Sequence, residues 1–104
     1  MSNIQDILKE RGSKYGNFKD HAELSQSLQD LIKGHICDIN GITTVKELNN
    51  HLPKYMTEAL NMICHKLARI ANGDPYYDDS WRDIAGYSQL VVDILAKESD
   101  GEEF

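Results

Sequence analysis

The sequence predicts an all-α fold, a bundle of four main helices joined by short connections. Apolar residues recur at i, i+3 and i+4 along most of the 104 residues, which is the spacing of one helix face. No alternation of apolar and polar residues extends for more than a few positions, so no half-buried strand is indicated. A chain of this length has room for one hydrophobic core, and we therefore expect a single domain over residues 1–98.

A glycine-containing segment separates the first two helices. The first helix begins near Ile4 and ends within RGSKYGNF, where Gly12 and Gly16 loosen the chain. The second helix is predicted over residues 18–33, with Gly34 as its C-terminal stop. Its apolar stripe consists of Ala22, Leu24, Leu28, Leu31 and Ile32.

Residues 35–53 have a less regular pattern than the segments on either side. Thr44 followed by Glu47 matches a capping box, in which the two side chains satisfy backbone N–H groups at a helix start. This pair predicts a short extra helix near 44–52, which ends before Pro53 because the residue preceding a proline disfavours helical geometry.

The last two main helices are predicted over residues 55–71 and 78–97. The former is closed by Asn72-Gly73 and then Pro75. The latter begins with Asp78 and Asp79, whose carboxylates suit the positive end of a helix dipole. The acidic residues 99–104, SDGEEF, are expected to form a frayed, flexible tail. The apolar stripes comprise Ala59, Leu60, Ile63, Cys64, Leu67 and Ile70 in the former helix and Trp81, Ile84, Leu90, Val91, Ile94 and Leu95 in the latter.

The composition excludes several classes of partner. The chain has 11 Lys+Arg against 17 Asp+Glu, a net charge of −6, whereas nucleic acids and anionic lipids are bound by clustered cations. No window approaches the ~20 apolar residues of a membrane span. Cys37 and Cys64 lie too far apart for a zinc knuckle or a redox pair, so we interpret both as reduced thiols. We expect a cytoplasmic homo-oligomer, a dimer or tetramer, because so small a core is only marginally stable alone.

Three polar side chains fall where the helix patterns require apolar ones. At 100° per residue Asp83 lies between Leu90 and Ile94, and His21 and Arg11 lie within the stripes of the second and first helices. Buried charges require partners or metals, so these groups are expected to meet one another or a shared ligand. A second interpretation is a structural network without any ligand, which fixes the register of the helices.

The helix predicted over 55–71 carries a polar arc formed by Glu58, Asn61, His65 and Arg69. This arc lies opposite the apolar stripe, so it is either a solvated face or a face that a partner subunit covers.

Carboxylates are also repeated on two helices that are expected to face each other. Asp79 and Asp83 are one turn apart, and Glu58 lies on the preceding main helix. Oxygen ligands presented in this way suit Mg²⁺, which keeps waters and substrate phosphates as its other ligands.

The segments ILKERGSKYGNFKDHAELSQSL and EALNMICHKLARIANGDPYYDDSWRDIAGYSQLVVDIL resemble a family of short phage and prophage proteins. More distantly, the acidic helix followed by the D-x-x-x-D-I-A-G-Y helix is similar to the all-α NTP pyrophosphohydrolases, the MazG and dimeric dUTPase group. It also resembles phage nucleotide-modification-associated domains that end in a D-x-x-x-D-x-x-x-Y helix. The first resemblance covers nearly the whole chain, except residues 35–53 and the tail.

The second resemblance implies a Mg²⁺ site and a reaction. In the pyrophosphohydrolases, an E-x-x-E pair and an E-x-x-D pair hold Mg²⁺ ions that activate water against nucleotide phosphates. Glu58 matches the first carboxylate and Asn61, which is neutral, takes the place of the second. Asp79 approximates the third with one extra residue of spacing, and Asp83 matches the last.

The resulting expectation is a nucleotide-binding protein, in the host cytoplasm if phage-encoded, which most concretely acts as a Mg²⁺-dependent nucleoside triphosphate pyrophosphohydrolase. One alternative is a non-enzymatic binder that sequesters a nucleotide against host defence, and another is a protein-binding inhibitor of a host factor. His21 and His65 are the candidate proton acceptors. The candidate nucleotide contacts are Arg11, Tyr15, Lys66, Arg69, Trp81 and Arg82.

Overall fold

The computed structural model describes the backbone of residues 3–102 and the side chains of residues 3–99. It contains five helices over this range and no strand, which confirms the predicted all-α class. The helices are α1 (Ile4–Tyr15), α2 (Phe18–Asn40), α3 (Val45–His51), α4 (Lys54–Asn72) and α5 (Asp79–Glu102). Among the described residues, no helix is both long and apolar enough to cross a membrane.

Helix α4 is the centre of the bundle, because α2 packs along one side of it and α5 along another. Within the described range, the apolar residues that are fully buried are all small and all lie on α4: Ala59, Cys64 and Ala68. Small side chains at these positions let the neighbouring helices approach closely. Helix α1 makes a smaller contact across the ends of α2 and α4.

The bundle is elongated, with principal extents of 57 × 33 × 23 Å. Its radius of gyration is 17.1 Å, whereas a compact domain of this length has about 13 Å. Many large apolar side chains are consequently exposed, including Leu90 at 59% and Leu31 at 71%.

Two helices differ from the sequence prediction at their C-terminal ends. Helix α2 continues through Gly34 and ends at Gly41, which adopts a left-handed φ of 62° and donates its N–H to the Cys37 carbonyl. The predicted stop at Gly34 is therefore wrong. A glycine inside a helix costs only about 1 kcal/mol relative to alanine, and of the residues beyond it Ile36 and Cys37 are partly buried. Helix α5 extends past the predicted end at residue 97 to Glu102, so residues 99–102 are helical; residues 103–104 of the predicted tail lie outside the described range.

The predicted short helix near 44–52 is confirmed as α3. The Thr44 hydroxyl accepts a hydrogen bond from the Glu47 N–H at 3.1 Å and donates to the Glu47 carboxylate at 3.0 Å. The cap therefore uses the two residues that predicted it.

Two glycines join the end of α1 to the end of α4. The Asp74 N–H donates to the Lys14 carbonyl oxygen at 2.8 Å. A methyl group at Gly16 would overlap the backbone carbonyl of Asn72, and one at Gly73 would overlap the backbone of Lys14. Gly16 also has a φ of 81°, which side-chain-bearing residues rarely adopt. This backbone contact, the α1–α4 joint, brings the last turn of α1 against α4.

Candidate functional site

Tyr15, the last residue of α1, is held between α4 and the start of α5. Its hydroxyl donates a hydrogen bond to a carboxylate oxygen of Asp79 at 2.8 Å, and its ring meets that of Tyr77 edge-on at 5.8 Å. Burial, and then the hydrogen bond to Asp79, raise the pKa of Tyr15 to about 12. The phenol is therefore neutral at pH 7 and serves as a fixed platform.

Two guanidinium groups lie over the Tyr15 ring. The Cζ atom of Arg69, from α4, is 4.5 Å from the ring centroid, and that of Arg11, from α1, is 5.1 Å away. Such cation–π contacts orient a guanidinium without neutralising its charge. Neither arginine forms an ion pair with any described residue. The Nε atom of Arg69 is buried and has no hydrogen-bond partner among these residues.

His21, on the first turn of α2, lies beside this pair of arginines. It is only 4% exposed, and its ring contacts the rings of Phe18 at 5.1 Å and His65 at 5.2 Å. Burial, followed by the charge of Arg69, lowers the pKa of both histidines, so each is neutral at pH 7. The Nδ1 atom of His21 is buried without a hydrogen-bond partner in the described structure.

These side chains border one groove, which we call the Arg11–Arg69 groove. It has a volume of about 390 Å³ and runs between α1, the N-terminus of α2 and α4. No acidic side chain is among the described residues that line it. Phe18, which lines the groove, is 75% exposed. The lining residues are Leu8, Arg11, Gly12, Tyr15, Gly16, Asn17, Phe18, His21 and Arg69.

The groove combines positive charge with an exposed aromatic side chain, Phe18. Two nitrogens of its lining residues, Arg69 Nε and His21 Nδ1, are buried without a hydrogen-bond partner in the described structure. An anionic ligand with several acceptor oxygens, bound between Arg11 and Arg69, would accept hydrogen bonds from the terminal N–H groups of the two guanidinium groups. The same ligand would compensate the two guanidinium charges.

Asp83 and Lys66 form a structural ion pair outside this groove. The Lys66 ammonium is 2.8 Å from a carboxylate oxygen of Asp83, and the Lys66 side chain is only 10% exposed. The inward position of Asp83 predicted from the pattern of α5 thus corresponds to a partner on α4. This contact corresponds to the structural interpretation of Asp83 given above.

The four residues predicted to hold Mg²⁺ do not come together within one chain. Glu58 faces α5 beside Tyr87, and Asn61 faces α2. Asp79 and Asp83 are engaged by Tyr15 and Lys66 as described. Over the described residues, no three His, Cys, Asp or Glu side chains are close enough to hold a metal ion.

The geometry of α4 explains this dispersal. Residues three apart on a helix differ in direction by about 60°. Since α2 and α5 flank α4 on different sides, that angle is enough to turn Glu58 toward one neighbour and Asn61 toward the other. Within the described part of the chain these four side chains therefore do not form one donor set, and the magnesium site stays a prediction.

Two of the predicted nucleotide contacts lie elsewhere on the start of α5. Arg82 forms an exposed ion pair with Asp78 at 2.8 Å. The indole N–H of Trp81 donates to the Pro75 carbonyl at 2.9 Å. Neither side chain lines the Arg11–Arg69 groove.

Four predicted site residues, Arg11, Tyr15, His21 and Arg69, do line the groove, and His65 lies against His21. The sequence analysis did not assign Phe18 or the α1–α4 joint. In the sequence, the glycines of RGSKYGNF and of Asn72-Gly73 indicate only where helices end. Nothing in the local pattern indicates that two such glycines contact each other.

The fold and this groove define a class of molecule: an elongated helical bundle with a cationic, aromatic-edged groove at the end where α1 meets α4. Comparison with protein-family models, with curated proteins and with solved structures finds no match to this chain. Its function is therefore argued from the chemistry of the groove.

Proposed function

We propose that the protein binds a small phosphorylated molecule, a nucleotide, in the Arg11–Arg69 groove and retains it without hydrolysis. One observation carries this proposal: two guanidinium groups without carboxylate partners line the same groove, and no acidic side chain is among its described lining residues. A hydrogen bond to a charged group contributes about 1.5–3 kcal/mol, so an anion that bonds these guanidinium groups gains free energy on binding.

The arginines favour phosphate over other anions. A guanidinium presents its N–H groups as a planar fork that matches two oxygens of a phosphate or carboxylate. Arg11 and Arg69 approach the groove from different helices, so they can contact different oxygens or successive phosphates. The N-terminus of α2, at Asn17 and Phe18, also borders the groove, and its dipole favours negative charge.

The size and edge of the groove favour a nucleotide over a free phosphate ion. Its volume of about 390 Å³ lies in the range of small-molecule sites, about 300–1,000 Å³. The exposed Phe18 ring offers a face on which a base can stack, an interaction of about 1–3 kcal/mol. Leu8, which is 56% exposed, extends the apolar part of the wall.

Binding without turnover is favoured by the placement of the carboxylates. The reaction implied by the pyrophosphohydrolase resemblance depends on a cluster of acidic ligands beside the phosphates. In this chain Asp79 accepts the Tyr15 hydroxyl hydrogen bond and Asp83 pairs with Lys66. In this proposal His21 forms part of the wall of the groove, and His65 supports it from behind through the contact of the two rings.

The test combines a binding measurement with an analysis of the recovered ligand. The purified protein is incubated with a panel of nucleoside mono-, di- and triphosphates and cyclic nucleotides, with and without Mg²⁺, and affinities are measured by isothermal titration calorimetry. The bound fraction is then heat-denatured and chromatographed. We expect one nucleotide class to be retained and to return intact. New monophosphate peaks would instead establish the hydrolase.

Arg69→Gln and Arg82→Gln form a matched pair for the same assay. Loss of one charge-assisted hydrogen-bonding group costs about 1.5–3 kcal/mol, so Arg69→Gln should weaken the retained nucleotide roughly 10- to 100-fold. Arg82 is exposed and outside the groove, so Arg82→Gln should bind as the wild type does. Equal affinities for all three proteins would overturn the assignment of the groove.

A further inference from the structure

A second surface is the apolar furrow between α4 and α5. Met56, Leu60 and Ile63 follow one another at i, i+4 and i+7 along α4, and Val91 and Leu95 face them from α5. We call these five residues the α4–α5 strip. The furrow encloses about 390 Å³, and none of the described residues that line it is charged. Leu95 remains 44% exposed.

The accessible surface of the chain is too large for a self-sufficient monomer. It is 7629 Å², whereas a folded monomer of 11.8 kDa exposes about 5,900 Å². The difference of about 1,700 Å² agrees with the elongated shape and with a core of three small buried apolar residues on α4. A chain with this little burial depends on covering further apolar surface to remain folded.

We propose that a second copy of this chain covers the α4–α5 strip and forms a two-fold symmetric dimer around α4. Each partner in a standard protein interface contributes about 800 Å², which the excess surface accommodates. Covering the strip removes apolar surface from water, and a second copy of the chain is a partner that is always present in matching amount.

The chemistry of the strip also suits self-association. Each chain carries a net charge of −6, so two copies repel each other, and a contact surface without charges keeps like charges from facing each other at close range. The lining of the furrow meets that condition. A two-fold axis places a surface against itself, and an apolar stripe at helical spacing is complementary to the same stripe running antiparallel.

The first experiment uses the unmodified protein. Analytical ultracentrifugation over roughly 1–100 µM should show twice the chain mass, and the Tm should rise with protein concentration because dissociation accompanies unfolding. A monomer at every concentration, with a Tm independent of concentration, would overturn the proposal.

The second experiment locates the interface. Ile63→Glu buries a charge in the strip of both copies and should shift the mass to that of a monomer. Leu31→Glu introduces the same charge on α2, at a side chain that is 71% exposed and outside the strip, and should leave the dimer intact. If Ile63→Glu sediments as a dimer, the strip is not the interface. If that variant unfolds, Leu95→Glu, at a strip residue that is 44% exposed, takes its place in the same measurement, and a dimer would again overturn the assignment.

Discussion

Replacing Asp83 by Asn tests whether this carboxylate is required to pair with a buried lysine. The Lys66 side chain is 10% exposed and that of Asp83 is 39% exposed, with 2.8 Å between nitrogen and oxygen. Breaking a fully buried pair costs about 3–5 kcal/mol, and an exposed pair contributes about 0–1 kcal/mol. Since Asp83 is partly solvated and Lys66 is not, we expect Asp83→Asn to lower the free energy of unfolding by about 2 kcal/mol.

The assay is thermal and urea unfolding followed by circular dichroism at one fixed protein concentration. For a domain of this size 2 kcal/mol corresponds to a decrease in Tm of about 8–16 °C. Asp78→Asn is the matched control, because it breaks the exposed pair with Arg82 on the same helix and should cost less than about 1 kcal/mol. The double variant Lys66→Met/Asp83→Asn removes the unpaired buried charge and should recover part of the loss.

Two results would refute this reasoning. One is an Asp83→Asn protein within about 0.5 kcal/mol of the wild type, since the pair would then contribute no more than a surface contact. The other is a double variant whose loss equals the sum of the two single losses, since the side chains would then be energetically independent. In either case Asp83 would be free for another role, such as holding a metal ion.

Three further predictions concern the α1–α4 joint, the histidines and the metal. Gly16→Ala forces a methyl group against the Asn72 carbonyl at a φ of 81°. The substitution should lower the free energy of unfolding by about 1–3 kcal/mol and weaken nucleotide binding as well. Unchanged nucleotide binding would show that the groove does not depend on the α1–α4 joint. The lowered pKa values of His21 and His65 mean that the unfolded chain takes up more protons below pH ~6.5, so the free energy of unfolding should be complete above that pH and fall below it. Urea unfolding at several pH values measures this slope, which His65→Gln should reduce; a slope of the opposite sign would contradict the burial of the two rings. Removal of Mg²⁺ with a chelator should leave the affinity for a nucleotide monophosphate unchanged in calorimetry, and a large loss would revive a metal site built by more than one chain.

The helices themselves follow from local sequence. The stripe on α4 and the Thr44–Glu47 capping box each predict an element that the structure contains, because both depend on residues within a turn or two of one another. The error at Gly34 has the opposite origin. The intrinsic cost of a glycine is small, and α2 as a whole packs against α4, a helix distant in sequence.

The periodicity of the helix also predicts that Asp83 faces the bundle, but it does not predict which residue Asp83 pairs with. A helix pattern specifies which side of α5 faces the bundle, whereas the identity of the facing residue depends on how α4 is rotated and shifted against it. The sequence does not specify which cation faces Asp83, and the distance of 2.8 Å identifies Lys66. The same uncertainty in rotation explains why the proposed metal ligands Glu58 and Asn61 face different neighbours.

The amino-acid sequence alone determines the charge balance, the all-helical class and the amphipathic faces of the helices, because each depends on composition or on spacing within a helix. The Arg11–Arg69 groove is different, because it assembles residues from α1, α2 and α4. Its existence depends on the close backbone approach of Gly16 to Asn72 and of Gly73 to Lys14. Arg11 reaches the Tyr15 ring as an i, i+4 neighbour within α1. The contact of Arg69 with the same ring joins positions far apart in sequence, which leave no periodic signal, and packing alone makes it.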